Sequence, residues 1–421
     1  MKIKIKSLIK FQLYYLLIIE ALISLLHFPS ILRYLLDANM ILIAILMLIK
    51  RNSGNRQFFG KVLNRYIYLY ILLVLTYSII QFVPFGQIVW AFRNNFFFII
   101  FGIACGRFLD KKDFDNISSN LLKFQILNIV CGLYEFFVLH VKNDNLGGLF
   151  GTEQGCNAYL NIYILVISSY AIIMYMHKKM AIARTFCVVI SSIVMATLGE
   201  LKVFYVELVI IIICVILLEK KNSKTFFVVI GGIAGIFIGL QILSISNPES
   251  IEILSSPEEL IEYSSRSDFG YGDIRISRMT AITQINEYFF DNDIYLRLFG
   301  YGLGACEDST TFSIFNSSFA DRYNYLQYRN ISSSMLYLET GMVGLVLFII
   351  IFVLYFQQAQ KQKKQLEVHG YGHIACLVQI ISILTVFLIW YNSAIRREIA
   401  FLTFFVLSAL YVYVNHIEIS N

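Results

Sequence analysis

The sequence predicts an all-α integral membrane protein with about twelve transmembrane helices and one large extracytoplasmic loop. Three observations predict it. The chain of 421 residues is 58% hydrophobic and only 15% charged, with four prolines. Its apolar residues gather in repeated runs of about 20, the length a helix needs to cross the hydrocarbon core. Lys and Arg then fall in every second gap between those runs, as they do where loops alternate between two sides of a membrane. A soluble chain would show shorter amphipathic stretches with a recurring polar face. The run Val206 to Leu218 shows no polar face at all.

The N-terminus has a basic start and an apolar run, as a signal peptide does, but no small-residue cleavage site follows. Residues 8–28 are therefore read as a retained first helix. Residues 32–49 complete a hairpin whose turn carries Pro29 and Arg33. Helices follow at 66–85 and at 88–106, the latter with Arg93 and Asn94 near its outer end, then at 120–140, 158–177, 183–201, 203–219 and 225–246. The last three occupy 334–357, 374–392 and 398–415. The basic gaps include Lys2 to Lys6, Lys50 to Arg65, Arg107 to Lys112, Lys178 to Arg184, Lys220 to Lys224 and Lys361 to Lys364, which places both termini in the cytoplasm. Residues 1–246 thus form nine helices, 247–333 the large outer loop and 334–421 the last three helices. Within the loop, 277–290 has apolar residues at helical spacing and is expected to form an amphipathic helix at the membrane surface. Phe299 to Gly304, with glycines at 300, 302 and 304, reads as a flexible turn.

The formal net charge of +6 reports topology, and no nucleic-acid partner is expected. Seven cysteines stand singly, with no CxxC pair, and read as small core residues. No His, Cys or acidic cluster suggests a metal, and no cofactor is expected. The GxGxG at Gly300 to Gly304 follows no parallel strand and opens no GK[ST], so it is no nucleotide loop.

The candidate chemistry lies in the outer cations. Arg93, Lys142, Lys202, Arg266, Arg275, Arg278, Arg297, Arg322, Arg329, Arg396 and Arg397 sit beside or between apolar runs, where charge is costly unless it has a partner. An anionic lipid-linked substrate is such a partner, and the planar guanidinium fork matches phosphate oxygens. The alternative for each is a solvated loop charge or headgroup anchor. Lys202, in Thr197-Leu-Gly-Glu-Leu-Lys202, lies between two long apolar runs with no room for a solvated loop, though Glu200 offers it a simple ion pair. Arg275 and Arg278 would share a face if their segment is helical, and clamp a diphosphate together. Arg396 and Arg397 occupy a short outer turn where the charge bias does not expect them. Glu307, Asp308 and Asp321 are candidates for a general base or simply solvated acids.

Four stretches resemble the O-antigen polymerase and ligase superfamily of bacterial surface-polysaccharide enzymes. They are Gly147-Gly-Leu-Phe-Gly151 through Asn157-Ala-Tyr-Leu160; Thr197 to Lys202; Ser277-Arg278-Met-Thr-Ala281 with Leu298-Phe-Gly300-Tyr-Gly302-Leu-Gly304; and Leu336-Tyr-Leu-Glu339-Thr-Gly341-Met-Val-Gly344. Their order and spacing match over roughly residues 145–360. Ligase-type members carry a His-Asn pair where this chain has Asn330-Ile331, so the resemblance favours a polymerase. It implies a GT-C-like, metal-independent inverting glycosyltransferase in the bacterial cytoplasmic (inner) membrane. Such an enzyme moves a growing undecaprenyl-diphosphate-linked glycan onto the next lipid-linked repeat unit, for O-antigen or capsule. Membrane lipids, a flippase and a chain-length regulator are the implied partners. On this reading Lys202, Arg275 and Arg278 hold the diphosphates, Arg93, Arg396 and Arg397 contribute to substrate binding, and Tyr271 stacks on a sugar ring.

The rival is a lipid-linked oligosaccharide flippase or other transporter, with ligase activity a further alternative. A transporter would show related halves, short outer loops and charges deep in its helices, for which Glu20, Glu135 and Glu207 are the main candidates. A purely structural scaffold would leave the outer cations unexplained.

Overall fold

The computed structural model describes residues 4–50, 60–141, 143–219, 223–246, 256–265, 275–291, 293–309 and 311–420. Among these residues every regular element is helical. Nine of the described helices are long and apolar enough to cross a membrane: α1 (Ile5–Leu26), α2 (Leu35–Ile49) with the 3-10 turn before it, α3 (Lys61–Ile80), α4 (Phe85–Phe108), α6 (Cys156–Met176), α9 (Ser223–Ser246), α14 (Ser332–Val368), α15 (Gly372–Tyr391) and α16 (Ala400–Ser420). The chain is a multi-pass membrane protein.

Three more helices stand where the sequence also predicts spans, and each falls short for a visible reason. Helices α7 (Ile182–Leu198) and α8 (Lys202–Leu218) have 17 residues each. At 1.5 Å per residue that is about 26 Å, against a hydrocarbon core of about 30 Å. Helix α5 (Lys111–Phe137) is long, but buries Gln125, Asn128 and Glu135. Asn128 and Glu135 hold a loop, and Gln125 accepts from Asn128 at 3.2 Å. Glu135 accepts the backbone N–H groups of Gly147 and Gly148 at 3.2 and 2.7 Å, and Asn128 accepts that of Leu149 at 3.1 Å. Irregular backbone survives inside a helical bundle only when such groups are satisfied by protein, and the polar residues of α5 do this for residues 147–149.

Helices α4, α6, α15 and α16 are the most enclosed, whereas α9 turns Phe226, Phe237 and Ile242 outward, as a lipid-facing helix does. Helices α4 and α16 approach through Gly102 and Gly106, where a Cβ would lie 3.1 Å from Phe404 and 3.0 Å from Tyr411 respectively. Small residues four apart let two helix backbones meet closely.

Among the described residues four short α-helices lie between α9 and α14: α10 (Pro257–Ser265), α11 (Ala281–Tyr288), α12 (Ile294–Phe299) and α13 (Ser318–Tyr323). Helix α11 corrects the expected amphipathic helix over 277–290. It is shorter, and its apolar side is covered by protein: Ala281 and Ile285 are buried, and Tyr337 of α14 donates its hydroxyl to Asn286 at 2.6 Å. The residues before it are not helical. The Ile276 N–H donates to the Leu326 carbonyl at 3.0 Å, and the Thr280 N–H to the Ser277 hydroxyl at 3.2 Å. Arg275 and Arg278 therefore do not share a helix face.

The glycine stretch 300–304 is likewise not the flexible turn expected; its residues 302–304 are buried. Helix α14 breaks at Gly341, whose φ of 61° and ψ of −167° leave the carbonyls of Leu338 and Glu339 without helical partners. The N–H groups of Tyr301 and Gly302 fill them, at 2.8 and 2.9 Å. The Glu339 carboxylate in turn accepts the N–H groups of Gly304 and Cys306 at 3.0 and 3.3 Å. A Cβ on Gly341 would lie 2.3 Å from the backbone of Leu298 and Phe299. Gly341→Val should consequently destabilise the fold by at least about 2 kcal/mol, through a positive φ and a backbone clash. A thermal melt of the detergent-purified variant within a degree of wild type would show this junction to be loose.

Candidate functional site

A cavity of about 270 Å³ opens at the end of the bundle opposite the lysine-rich loops. Five arginines are among its described lining residues, brought by four stretches of chain. The 3-10 turn Ser30–Tyr34 folds Arg33 back onto the end of α1, where its fork donates to both oxygens of Glu20 at 2.6 Å, with Glu153 at 3.1 Å. Arg93, on the third turn of α4, donates to both oxygens of Asp37 at 2.8 and 3.1 Å, to Asn94 at 2.8 Å and to Glu398. The other oxygen of Glu398 accepts the Tyr159 hydroxyl. Burial pushes the Glu398 carboxyl up, but the Arg93 charge and the Tyr159 hydroxyl outweigh it and hold it at about 2.

Arg396 lies in the turn between α15 and α16. It donates to Asn95 at 2.9 Å and to Glu307, with Glu339 at 3.8 Å behind it. Glu307 also accepts from Asn94 at 3.1 Å. The glycine stretch and the break in α14 thus have a purpose at the site: they set Glu339 behind Arg396. Arg329 pairs with Asp308 at 2.6 Å. Arg397 differs from the other four. Its guanidinium donates to the neutral Ser393 hydroxyl at 3.0 Å and has no carboxylate within 4 Å among the described residues.

An aromatic group borders the same cavity. The Trp90 ring stacks on Phe315 with centroids 5.1 Å apart and planes within 10°, and Tyr34 meets Phe312 at 5.1 Å. The Trp90 indole N–H donates to the Asp308 carbonyl at 3.2 Å. Chemically, the described residues offer one cation with no carboxylate within 4 Å, two partly exposed arginines (side chains of Arg33 and Arg329 are 26% and 28% exposed) and a flat apolar wall. That combination suits an anion joined to a sugar or another flat, partly apolar body. Among the described residues no three His, Cys, Asp or Glu side chains gather as a metal site.

Of the residues expected from sequence, Arg93, Arg396 and Arg397 meet at this cavity. Lys202, Arg275 and Arg278 do not line it. Lys202 opens α8, three residues before Tyr205, whose hydroxyl bonds Thr197 at 2.7 Å. Arg278 lies over the Tyr391 ring at 4.6 Å and donates to the Tyr391 carbonyl at 3.1 Å, two residues before Ser393 of the cavity wall. Tyr271 lies outside the described residues, as do Lys142 and Arg266. Sequence reasoning missed Arg33, Glu398, Tyr159 and Trp90 as site residues. For Arg33 and Glu398 a signal existed: both stand in short turns between apolar runs, where a charge needs a partner.

Nine apolar helices among the described residues, with a paired-arginine cavity at one end, define a multi-pass membrane protein with a built polar site. Neither a protein-family model nor a curated protein sequence matches the chain.

Proposed function

We propose that this protein is a polysaccharide polymerase of the bacterial cytoplasmic membrane, crossing it twelve times with both termini cytoplasmic and its site on the outer face. It transfers a growing undecaprenyl-diphosphate-linked glycan onto the next lipid-linked repeat unit. The acceptor hydroxyl oxygen bonds to the donor's anomeric carbon, the bond from that carbon to the diphosphate breaks, and undecaprenyl diphosphate leaves. The hydroxyl proton passes to a cavity carboxylate, of which Asp308 adjoins the Trp90 platform. Glu398, held at about 2, is an anchor for Arg93 and too weak a base for this task.

The observation that carries the proposal is the cavity itself: Arg397, without a carboxylate of its own among the described residues, beside Arg33, Arg329 and an aromatic wall. Fixed cations around a leaving diphosphate stabilise developing negative charge without reorganising. The order of the four motifs noted in the sequence supports the same reading. The three acids that favoured a transporter have local partners instead: Glu20 with Arg33, Glu135 with the 147–148 backbone, Glu207 with Asn161 at 2.8 Å.

Deleting the gene should leave single repeat units where long surface polysaccharide stood, read as the loss of high bands on a gel. Long polymer persisting in the deletion strain would overturn the proposal. In complementation, Lys202→Ala and Arg278→Ala, outside the cavity, should lose less polymer than Arg397→Ala.

A further inference from the structure

At the other end of the bundle, beside the lysine-rich loops, a second cavity of about 290 Å³ opens between α5, the α6–α7 turn, α15 and α16. Its charges do not balance. Lys111, Lys179 and Arg184 stand around it, and Asp115 is the one carboxylate among its described lining residues. Asp115 is already engaged, by Lys111 at 2.9 Å and by the Tyr413 hydroxyl. Lys179 and Arg184 have no carboxylate within 4 Å among the described residues. Lys111 and Lys179 lie 5.5 and 5.4 Å from the centroid of the same ring, Tyr371, so two ammonium groups crowd one aromatic ring. Burial and then the charge of Lys111 lower the Lys179 ammonium below its usual range. His373 lines the cavity while only 2% exposed, and its Nδ1 has no hydrogen-bond partner.

An arrangement of three cations, one neutralised acid and a buried imidazole nitrogen wants an anion with several acceptor oxygens. We infer that this cavity binds a phosphate-bearing group, with Lys179 and Arg184 as its outer cations, Lys111 behind them and His373 donating from the wall. Basic pockets between membrane helices take anionic headgroups in just this setting. A phospholipid phosphodiester and free phosphate share the chemistry, and the experiment separates them. The site lies away from the arginine-lined cavity and does not depend on the polymerase reading.

The test uses the full chain purified in a neutral detergent, titrated with phosphatidylglycerol, phosphatidylcholine or inorganic phosphate, with melting temperature and native mass spectrometry as readouts. Phosphatidylglycerol should raise the melting temperature and remain bound, whereas phosphatidylcholine should not. Lys179→Gln with Arg184→Gln should weaken that binding roughly tenfold to thirtyfold, from two surface charges of about 1 kcal/mol each. Both side chains are exposed, so the double variant should fold. Lys361→Gln with Lys364→Gln removes the same charge elsewhere and should bind as wild type. Stabilisation by inorganic phosphate that the first pair abolishes would identify a soluble ligand at the same site. Equal retention of both lipids, or unchanged phosphatidylglycerol binding in Lys179→Gln/Arg184→Gln, overturns the inference.

Discussion

Arg93→Ala is expected to cost about 3–5 kcal/mol of stability, the cost of leaving buried charges without their partner. The Arg93 side chain is 11% exposed, and its removal strands Asp37 and Glu398, themselves 16% and 11% exposed. Arg93→Lys should recover only part of the loss, because an ammonium cannot offer parallel bonds to Asp37 and a third to Glu398. A triple variant, Arg93→Met with Asp37→Asn and Glu398→Gln, should recover more, since it removes the stranded charges along with their partner. Acid should mimic the lesion. Glu398 is depressed from its ordinary 4.5 to about 2, so the stability it lends is complete above about pH 4.5 and is lost as pH falls toward 2. Thermal melts of the detergent-purified variants decide it: an Arg93→Ala melt indistinguishable from wild type would mean that the cluster adds nothing.

The fold was legible in the sequence to the extent that lipid makes it so. A backbone in hydrocarbon must satisfy itself, so spanning helices announce themselves as long apolar runs. The same rule blurred the bounds of α5, predicted at 120–140 and found at Lys111–Phe137, because its buried Asn128 and Glu135 serve the backbone of a loop and dilute its hydropathy. The cavity was half legible. Arg396 and Arg397 stood out because they interrupt an otherwise regular charge pattern, and Arg93 because it lies within an apolar run. Their partners did not stand out, since Asp37, Arg93 and Glu398 meet only through tertiary packing across more than 300 residues of chain. Arg275 and Arg278 were misplaced by a local effect: the Ser277 hydroxyl captures the Thr280 N–H and the chain turns before α11 begins. The glycines at 300, 302 and 304 looked flexible because sequence shows conformational freedom and not what fills the space; here the freedom is used to pack against the break at Gly341.

Arg397→Ala should have the opposite profile to Arg93→Ala, with intact fold and lost chemistry. Arg397 makes one side-chain hydrogen bond, to Ser393, and balances no carboxylate among the described residues, so the melting temperature should hardly move. If Arg397 faces the leaving diphosphate, its loss removes a preorganised cation from developing charge, worth roughly 10² to 10³ in rate. Arg397→Lys keeps the charge but not the planar fork, and should fall between the two. The measurement is polymer formed per minute by reconstituted protein supplied with synthetic lipid-linked repeat units, beside a melt of the same preparation. Arg397→Ala polymerising at the wild-type rate would remove from the reaction the one cavity arginine that, among the described residues, has no carboxylate within 4 Å. A rate loss accompanied by a large drop in melting temperature would instead assign Arg397 to the same structural network as Arg93. The split between the two variants, one read in stability and the other in turnover, separates the arginines that build this cavity from the one that uses it.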